Sequence, residues 1–429
     1  MNVINAPKIP RQAVTTGPGL CPDICALTQD AVRGSRLTLC IALLAPSLML
    51  APAAFSAQSL DAAVNSAVEF GCGNLDPVSA NLASFCSNGG AADSSTGGTT
   101  TSQIGTVALD KVALDKQGAT RDDLARVDLG PVSAFLSLDF EFHEKGATDI
   151  EGRGFESDGT AVLAGVDYQV NDNFSLGVAV NYATVDGDFD GEIQDEDSGG
   201  FDNTRYGLAV IGEYGFATNA YMGWSLGYNN HEYETDRYST VTMGGGDANG
   251  VLESETDASE INAGFELGYD MPMSALTVGP RFALRYRKTD IDGYTERVKS
   301  NNPSGTDDPL ALIVDEQTEK SLTSHLGMQL SKAISWDYGV LVPQLYLDYV
   351  HEFEDDQRDI KFSFVGDDPS AGNTFIYNND APDRNYGHVL VGLASVSAGG
   401  LQSFISYERL LAYSDHDNDR FSVGVRLEF

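Results

Sequence analysis

Histidines and carboxylates are the residues of this sequence whose chemistry could support catalysis. The sequence holds six histidines, and three of them, His143, His231 and His416, have acidic neighbours. A histidine beside a carboxylate is an arrangement that hydrolases use for general acid–base chemistry. Exposed histidines near loops are far commoner than catalytic ones, so the sequence predicts a protein that is not an enzyme. The other three histidines are His325, His351 and His388.

A calcium-like pattern occurs in the stretch VDGDFDGEIQDED, which runs from Val185 to Asp197. Its carboxylates alternate before a glycine, as in the D-x-D-x-D-G loop of EF-hand proteins, and a further aspartate stands at the twelfth position. The pattern predicts weak calcium binding, and the alternative is an acidic loop that water solvates. No other cofactor is predicted. The predicted metal ligands are Asp186, Asp188, Asp190 and Asp197.

Two cysteines, Cys72 and Cys86, remain once an N-terminal leader is set aside. An even pair in an exported protein is most simply a disulfide, because exported proteins mature in oxidising compartments. The residues around the pair read as two short helices joined by an Asn-Leu-Asp-Pro turn. We therefore predict a small helical module at residues 58–90, held by a Cys72–Cys86 disulfide.

Residues 1–57 read as a secretory signal peptide with an extended N-region. Arg33 and Arg36 precede an apolar stretch, and a cluster of small residues follows it, which is the order found in secretory signals. Downstream of the helical module, the stretch SNGGAADSSTGGTTTSQ has the composition of a flexible linker. We predict a linker with a candidate lumen or plug helix over residues 91–130.

From Phe135 onward the sequence alternates apolar and polar residues in twelve segments, which is the period of a β-strand with two different faces. The segments run about ten residues, the length of a strand that crosses an outer membrane at a tilt. The last segment, RFSVGVRLEF, keeps this alternation to its final residue. We predict that its apolar face meets lipid and acts as the assembly signal of the barrel; this face consists of Phe421, Val423, Val425, Leu427 and Phe429.

The faces opposite the apolar ones are small or charged. This combination is typical of a transmembrane β-barrel, which has lipid outside and a polar lumen inside, whereas a soluble sandwich hides its apolar face against a second sheet. The predicted fold class is all-β: a twelve-stranded antiparallel transmembrane β-barrel at residues 131–429, preceded by the small helical, disulfide-tied module. The residues predicted to face the lumen are Arg281, Arg285, Arg287, Glu266 and Asp270.

Connections between the twelve segments alternate in length. Short connections such as residues 170–173 and 215–219 follow even-numbered segments, and long ones such as 183–203 and 233–258 follow odd-numbered segments. Outer-membrane barrels have short periplasmic turns and long external loops, and an even strand number puts both barrel ends in the periplasm. The sequence thus predicts the outer membrane of a Gram-negative bacterium, with the long loops extracellular.

The net charge limits the partners of the protein. A formal charge of −37 argues against nucleic acid as a partner. No apolar run of about 18 residues follows residue 60, so no transmembrane helix is predicted there. The expected partners are outer-membrane lipid, including lipopolysaccharide, and the barrel-assembly machinery, and the barrel is expected to be a monomer.

Over roughly Arg121 to Phe429 the sequence resembles the autotransporter β-domain family, the translocator unit of type V secretion. The resemblance rests on the order of LTVGPRFALRYRKTDIDGYTE, SHLGMQLS, VPQLYLDYVHEF and the terminal FSVGVRLEF. It implies a monomeric barrel whose lumen a helix threads, and which anchors or translocates an N-terminal segment across the outer membrane. Two alternatives remain open: a passive outer-membrane channel or porin, and a surface adhesin that acts through its acidic external loops.

Overall fold

The structure is a computed structural model that describes most of the chain from residue 131 onward. The predicted signal peptide, the helical module with Cys72 and Cys86, most of the 91–130 linker and Phe429 lie outside the described residues. The described ranges are 93–96, 131–148, 154–171, 173–190, 192–193, 196–197, 199–217, 219–243, 246–273, 276–299, 311–336, 339–365, 374–397 and 401–428.

The described secondary structure consists of β-strands. In chain order the strands are β1 Asp93–Thr96, β2 Val132–Lys145, β3 Phe155–Asn171, β4 Phe174–Phe189, β5 Glu192–Ile193, β6 Glu196–Asp197, β7 Gly199–Ala217, β8 Ala220–Met243, β9 Gly246–Tyr269, β10 Met271–Met273, β11 Leu276–Ile291, β12 Tyr294–Thr295, β13 Arg297–Val298, β14 Leu312–Val314, β15 Gln317–Ser331, β16 Ile334–Trp336, β17 Gly339–Glu352, β18 Asp359–Phe364, β19 Phe375–Asn378, β20 Asn385–Ser397, β21 Leu401–Leu411 and β22 His416–Glu428. Within these ranges, no helix is long and apolar enough to cross a membrane.

Twelve long antiparallel strands form a closed barrel, as predicted. Each pairs with the next long strand along the chain, and the ring closes where β22 pairs with β2, from Ser133 opposite Glu428 to Lys145 opposite His416. Closure pairs the backbone groups that a sheet edge would leave open, which is the condition for a sheet to stand in hydrocarbon. The barrel strands are β2, β3, β4, β7, β8, β9, β11, β15, β17, β20, β21 and β22.

The sequence alternation sorts side chains between the two surfaces of the barrel. In β2, Leu136 and Phe140 point outward and are each 42% exposed, whereas Ser137 and Asp139 are fully buried inside. A continuous exposed apolar band of this kind is typical of a surface that meets lipid. The last strand continues the band with Phe421, Val423, Val425 and Leu427.

Several strands continue well past the segments that periodicity predicts. β8 and β9 stay paired as far as Met243 opposite Gly246, so most of the predicted 233–258 loop is a hairpin. Likewise β4 reaches Phe189 inside the predicted 183–203 loop. The loop prediction was wrong here because the outward face of these extensions is polar rather than apolar, while their Thr, Tyr and Val residues still favour extended backbone.

Smaller strands add to the barrel at positions where the sequence suggested loops or linker. β12, β14, β18 and β19 form a separate four-stranded sheet from residues of the predicted long connections at 289–318 and 354–385. Within the predicted linker, β1 pairs with the far end of β8, with Asp93 opposite Thr242 and Thr96 opposite Ser239. The chain N-terminal to the barrel therefore contacts the barrel at the tip of its longest hairpin.

Candidate functional site

The two ends of the barrel differ and define the orientation of the lumen. The end where β2 begins at Val132 and β22 stops at Glu428 carries the short connections, and we call it the short-turn end. The opposite end, where β2 stops at Lys145, carries the extended hairpins and the four-stranded sheet, and we call it the long-loop end.

The lumen has an apolar wall and a charged wall. Strands β3, β4 and β7 carry most of the inward apolar side chains, and β2 adds Phe135 beside the buried Ser137 and Asp139. Strands β8 to β22 direct mainly polar and charged side chains inward. Apolar surface inside a lumen is stable only when other atoms cover it. The apolar wall holds two clusters, one of Phe135, Leu163, Ala179 and Ile211 with Phe404 packed against it, and one of Phe155, Ala161, Ala183, Val185, Phe189 and Phe201.

At the short-turn end, arginines of the inner wall are paired with carboxylates. Arg281 Nη2 lies 3.0 Å from Asp270 Oδ1, and its guanidinium carbon lies 4.8 Å from the centroid of the Tyr221 ring. Arg426 Nη2 lies 2.7 Å from Asp167 Oδ1. Because a buried charge is tolerated only when it is compensated, these pairs keep the wall polar without leaving isolated charges.

Nearer the long-loop end, one carboxylate links three strands. Glu260 Oε2 on β9 lies 3.9 Å from Arg287 Nη1 on β11 and 3.5 Å from His231 Nε2 on β8. Asn229 also donates a hydrogen bond to Glu260 Oε1, at 2.6 Å. Arg287 Nη2 continues the network to Glu319 on β15, at 3.0 Å. Side chains of four neighbouring strands are thereby joined across the inner wall.

The structure directs all five residues that the sequence suggested as lumen-facing into the barrel; Arg281, Arg285, Arg287, Glu266 and Asp270 are all buried there. Sequence reasoning missed two of their partners, Glu260 and Glu319. Each lies two residues beyond the polar face of its predicted segment, so extending the alternation by one step would have identified both.

His325, Asp348 and His388 form a separate cluster on the inner wall. They lie on the neighbouring strands β15, β17 and β20, with Asp348 directly opposite His388 in the register. His325 Nδ1 is 2.6 Å from Asp348 Oδ2, and His388 Nδ1 is 3.8 Å from the same oxygen. All three residues are buried. Sequence reasoning did not group them, because they are separated along the chain and only the register brings them together.

The four-stranded sheet lies across the long-loop mouth of the lumen. Arg358, just before β18, is 3.8 Å from Glu319 on β15, and Asp380, just after β19, is 3.2 Å from Lys145 on β2. On a third side of the ring, Arg237 of β8 forms an ion pair with Glu296, which directly follows β12. The sheet has its own buried apolar residues, Leu312, Val314, Ile360, Phe362, Phe364 and Tyr377.

The four predicted calcium ligands lie in extended rather than looped backbone over much of their length. Asp186 and Asp188 belong to β4, where alternate residues stand about 7 Å apart, and Asp197 belongs to β6. An EF-hand loop instead curves around its ion. Asp190 directly follows β4, where partial burial and the neighbouring Glu144 raise its pKa. Calcium binding at these residues stays a prediction.

Other residues with catalytic potential lie in structural positions. The pentapeptide GWSLG at 223–227 has the letters of a nucleophile elbow, but it lies inside β8, whereas an elbow needs a strand-to-helix turn. His143 and His416 face each other at the closure of the ring, with Nε2 and Nδ1 2.8 Å apart. His351 Nδ1 lies 2.8 Å from Asn385 Oδ1 at an exposed position.

The architecture and the sequence agree with one known family. The model of the autotransporter β-domain family matches residues 142–408, which is more than half of the 429-residue chain. The chain belongs to the autotransporter β-domain family. This autotransporter-type protein is an outer-membrane β-barrel, and the family implies the outer membrane of a Gram-negative bacterium.

Solved autotransporter domains have folds similar to this autotransporter β-domain. The translocator domain of autotransporter NalP from Neisseria meningitidis aligns with a TM-score of 0.51 at 14% identity, covering 73% of this chain and 94% of that one. The β-domain of the Bordetella autotransporter Brka aligns with a TM-score of 0.47 at 15% identity, covering 70% and 100% of the two chains. At 14% identity the NalP alignment shows a shared fold and no more. No curated protein sequence matches this chain.

Proposed function

We propose that this autotransporter-type barrel anchors or translocates its N-terminal segment across the outer membrane. One observation carries the proposal: β1 pairs with the tip of β8 at the long-loop end, whereas β2 begins at Val132 at the short-turn end. Residues 97–131 must therefore connect the two ends of the barrel. Because unpaired backbone is unstable in hydrocarbon, a route through the lumen is favoured over a route through lipid.

The apolar wall supports the same route. The cluster that contains Phe135 and Ile211 faces the barrel interior and is almost fully buried there, as expected where an apolar surface packs against it. The predicted plug helix within residues 91–130 has apolar residues that would supply one, and the charged wall opposite would remain compensated by its own ion pairs. In this proposal residues 1–57 direct export, and residues 58–90 form the disulfide-tied module at the cell surface.

The long-loop end faces the cell exterior in this proposal, and both ends of the barrel domain are periplasmic. Outer-membrane barrels have short periplasmic turns, which supports this orientation. Outer-membrane lipid, including lipopolysaccharide, would contact the exposed apolar band, and the barrel-assembly machinery would recognise the last strand. The barrel would be a monomer without a required cofactor, and its activity would be transport or anchoring rather than catalysis.

An epitope tag tests export of the N-terminal segment. We would insert the tag after Thr100, in the predicted linker, and measure antibody binding to intact and to permeabilised cells. Export predicts binding to intact cells. A matched control carries the same tag at Asn173, in a short turn, and should bind antibody only after permeabilisation. A linker tag that also requires permeabilisation would contradict export.

A surface adhesin is the second candidate function, and the projecting β8–β9 hairpin favours it. This hairpin extends to Met243 and Gly246, well beyond the apolar band. Removing the hairpin tip should abolish cell or surface binding if the barrel is an adhesin, while export of the linker tag should continue.

The passive channel is less favoured, because the four-stranded sheet lies across one mouth of the lumen. Ion conductance in planar bilayers tests the channel directly.

A further inference from the structure

We propose that His325, Asp348 and His388 form a binding site for a divalent transition-metal ion in the barrel wall. Two imidazoles and one carboxylate are a common ligand set for such ions, and catalytic zinc sites use three protein ligands of this kind plus a water. The site is independent of whether the barrel exports its N-terminal segment.

The donor atoms already converge. One nitrogen from each ring and one carboxylate oxygen all lie within 4.8 Å of one another. Around a tetrahedral zinc ion with bonds of about 2.0–2.1 Å, ligand atoms stand roughly 3.3 Å apart. The observed distances from Asp348 Oδ2, 2.6 Å to His325 Nδ1 and 3.8 Å to His388 Nδ1, bracket that value. Side-chain shifts of about 1 Å would therefore admit the ion without a change of register.

Two buried polar atoms of the cluster also lack a protein partner. Among the described residues, neither Asp348 Oδ1 nor His388 Nε2 has a hydrogen-bond partner, and both atoms are shielded from solvent. A buried polar atom without a partner is unfavourable, and an ion that both carboxylate oxygens of Asp348 contact would compensate Oδ1. His388 Nε2 points away from an ion held by Nδ1, so it carries no part of the proposal.

The surroundings of His325 suit a metal ligand. Its Nε2 lies 2.9 Å from Thr323 Oγ1, the partner that would fix the ring orientation while Nδ1 binds the ion. Metal-binding histidines usually have such a hydrogen bond on the second ring nitrogen. The strand register also fixes the relative positions of the three residues, because β17 pairs with β15 on one side and with β20 on the other.

The ligand set selects the class of ion. Imidazole suits zinc, copper, nickel, cobalt and iron, whereas calcium and magnesium prefer oxygen ligands. Arg285 adjoins the cluster and interacts electrostatically with Asp348 and His325. Its positive charge opposes a cation, so binding should be weaker than in a site without a neighbouring arginine.

Zinc binding to the full-length refolded barrel in detergent tests the proposal. We would measure bound zinc by equilibrium dialysis in excess magnesium and calcium, which occupy the acidic surface. The wild type should hold one more zinc ion per chain than either the His388→Gln or the Asp348→Asn variant. The Arg285→Gln variant should bind zinc more tightly than the wild type, an effect that loss of packing would not produce.

Two control variants separate this site from other histidines. His351→Gln alters an exposed histidine on β17, and His416→Gln removes one member of the His143–His416 pair. Both should keep the wild-type zinc stoichiometry. Equal zinc binding by the wild type and His388→Gln, or loss of zinc only in His416→Gln, would overturn the proposal.

X-ray absorption of the zinc-loaded wild type needs no variant and covers the case in which a substitution prevents folding. Two imidazole ligands and an oxygen shell around zinc are expected. A spectrum with oxygen ligands alone would show that the acidic surface holds the ion and would overturn the site.

Discussion

At the scale of single residues, Asp202 at the long-loop end links stability to pH. Burial, together with the nearby carboxylates of Asp186 and Glu234, raises the pKa of Asp202. A carboxyl group with a raised folded-state pKa destabilises the fold when it is ionised, so this effect disappears as the pH falls. We expect Asp202→Asn to raise the unfolding temperature slightly at pH 7, with no gain at about pH 3, below the usual aspartate pKa.

Asp290 supplies a control of opposite sign on the same end of the barrel. The hydrogen bond from Lys288 Nζ, at 2.5 Å, lowers the pKa of Asp290, so its ionised form stabilises the fold above the usual aspartate pKa. Asp290→Asn should therefore lower the unfolding temperature slightly at pH 7, the change being small because the pair is exposed. Thermal melts in detergent in which both variants shift the same way would contradict this interpretation.

A covalent prediction concerns Cys72 and Cys86, which lie outside the described residues. We expect a disulfide between them in the exported protein, and a closed loop of this size is worth about 3 kcal/mol in the chain-entropy model. Cys72→Ala should loosen the N-terminal module and leave the yield of folded barrel unchanged. Mass spectrometry after alkylation without reduction checks the bond, and two alkylated thiols would refute it.

At the scale of the strand, neighbouring positions of β11 should respond differently to the same substitution. Leu284 points outward and is 38% exposed, whereas Ala283 is buried inside, opposite Glu266 in the register. Leu284→Arg should cost about 2–4 kcal/mol, as a cation near the bilayer midplane does. Ala283→Arg should cost less, because Glu266 can compensate it. Urea unfolding in lipid vesicles measures both, and equal losses would contradict the assigned faces.

A second strand-level prediction concerns the end of β22. The outward apolar face of this strand and its pairing with β2 suggest that Phe429, beyond the described residues, is needed for assembly. Deleting Phe429 should lower the yield of heat-modifiable barrel on semi-native gels, whereas Phe429→Tyr should preserve it. Normal yield after the deletion would contradict a role of Phe429 in assembly.

The sequence predicted a strand correctly only over the part of that strand that contacts lipid. Where one face meets lipid, as in β22, apolar and polar residues must alternate, and the period of two revealed the strand. Beyond the apolar band that constraint ends, so the paired extension to Met243 was mistaken for loop. The His325, Asp348 and His388 cluster was not predictable, because it depends on registers between strands far apart in sequence.

At the scale of the whole molecule, the orientation decides which surface is accessible from outside the cell. We would introduce single cysteines by Asn173→Cys in a short turn and by Asp292→Cys at the long-loop end, in a background with Cys72 and Cys86 replaced by serine. A membrane-impermeant thiol reagent on intact cells should label position 292 and spare position 173. The reverse pattern would invert the barrel, while labelling of both only in lysed cells would contradict surface exposure.

The β8–β9 hairpin has a consequence for the shape of the bilayer surface. After Tyr228, whose exposed side chain belongs to the apolar band, β8 continues through residues 229–243 in register with β9. At about 3.3 Å per residue, less the strand tilt, this ladder rises roughly 40 Å above the hydrocarbon. A reconstituted membrane should therefore carry narrow protein ridges on one leaflet and be nearly flat on the other. Atomic force microscopy should contact these ridges before it contacts the lipid surface.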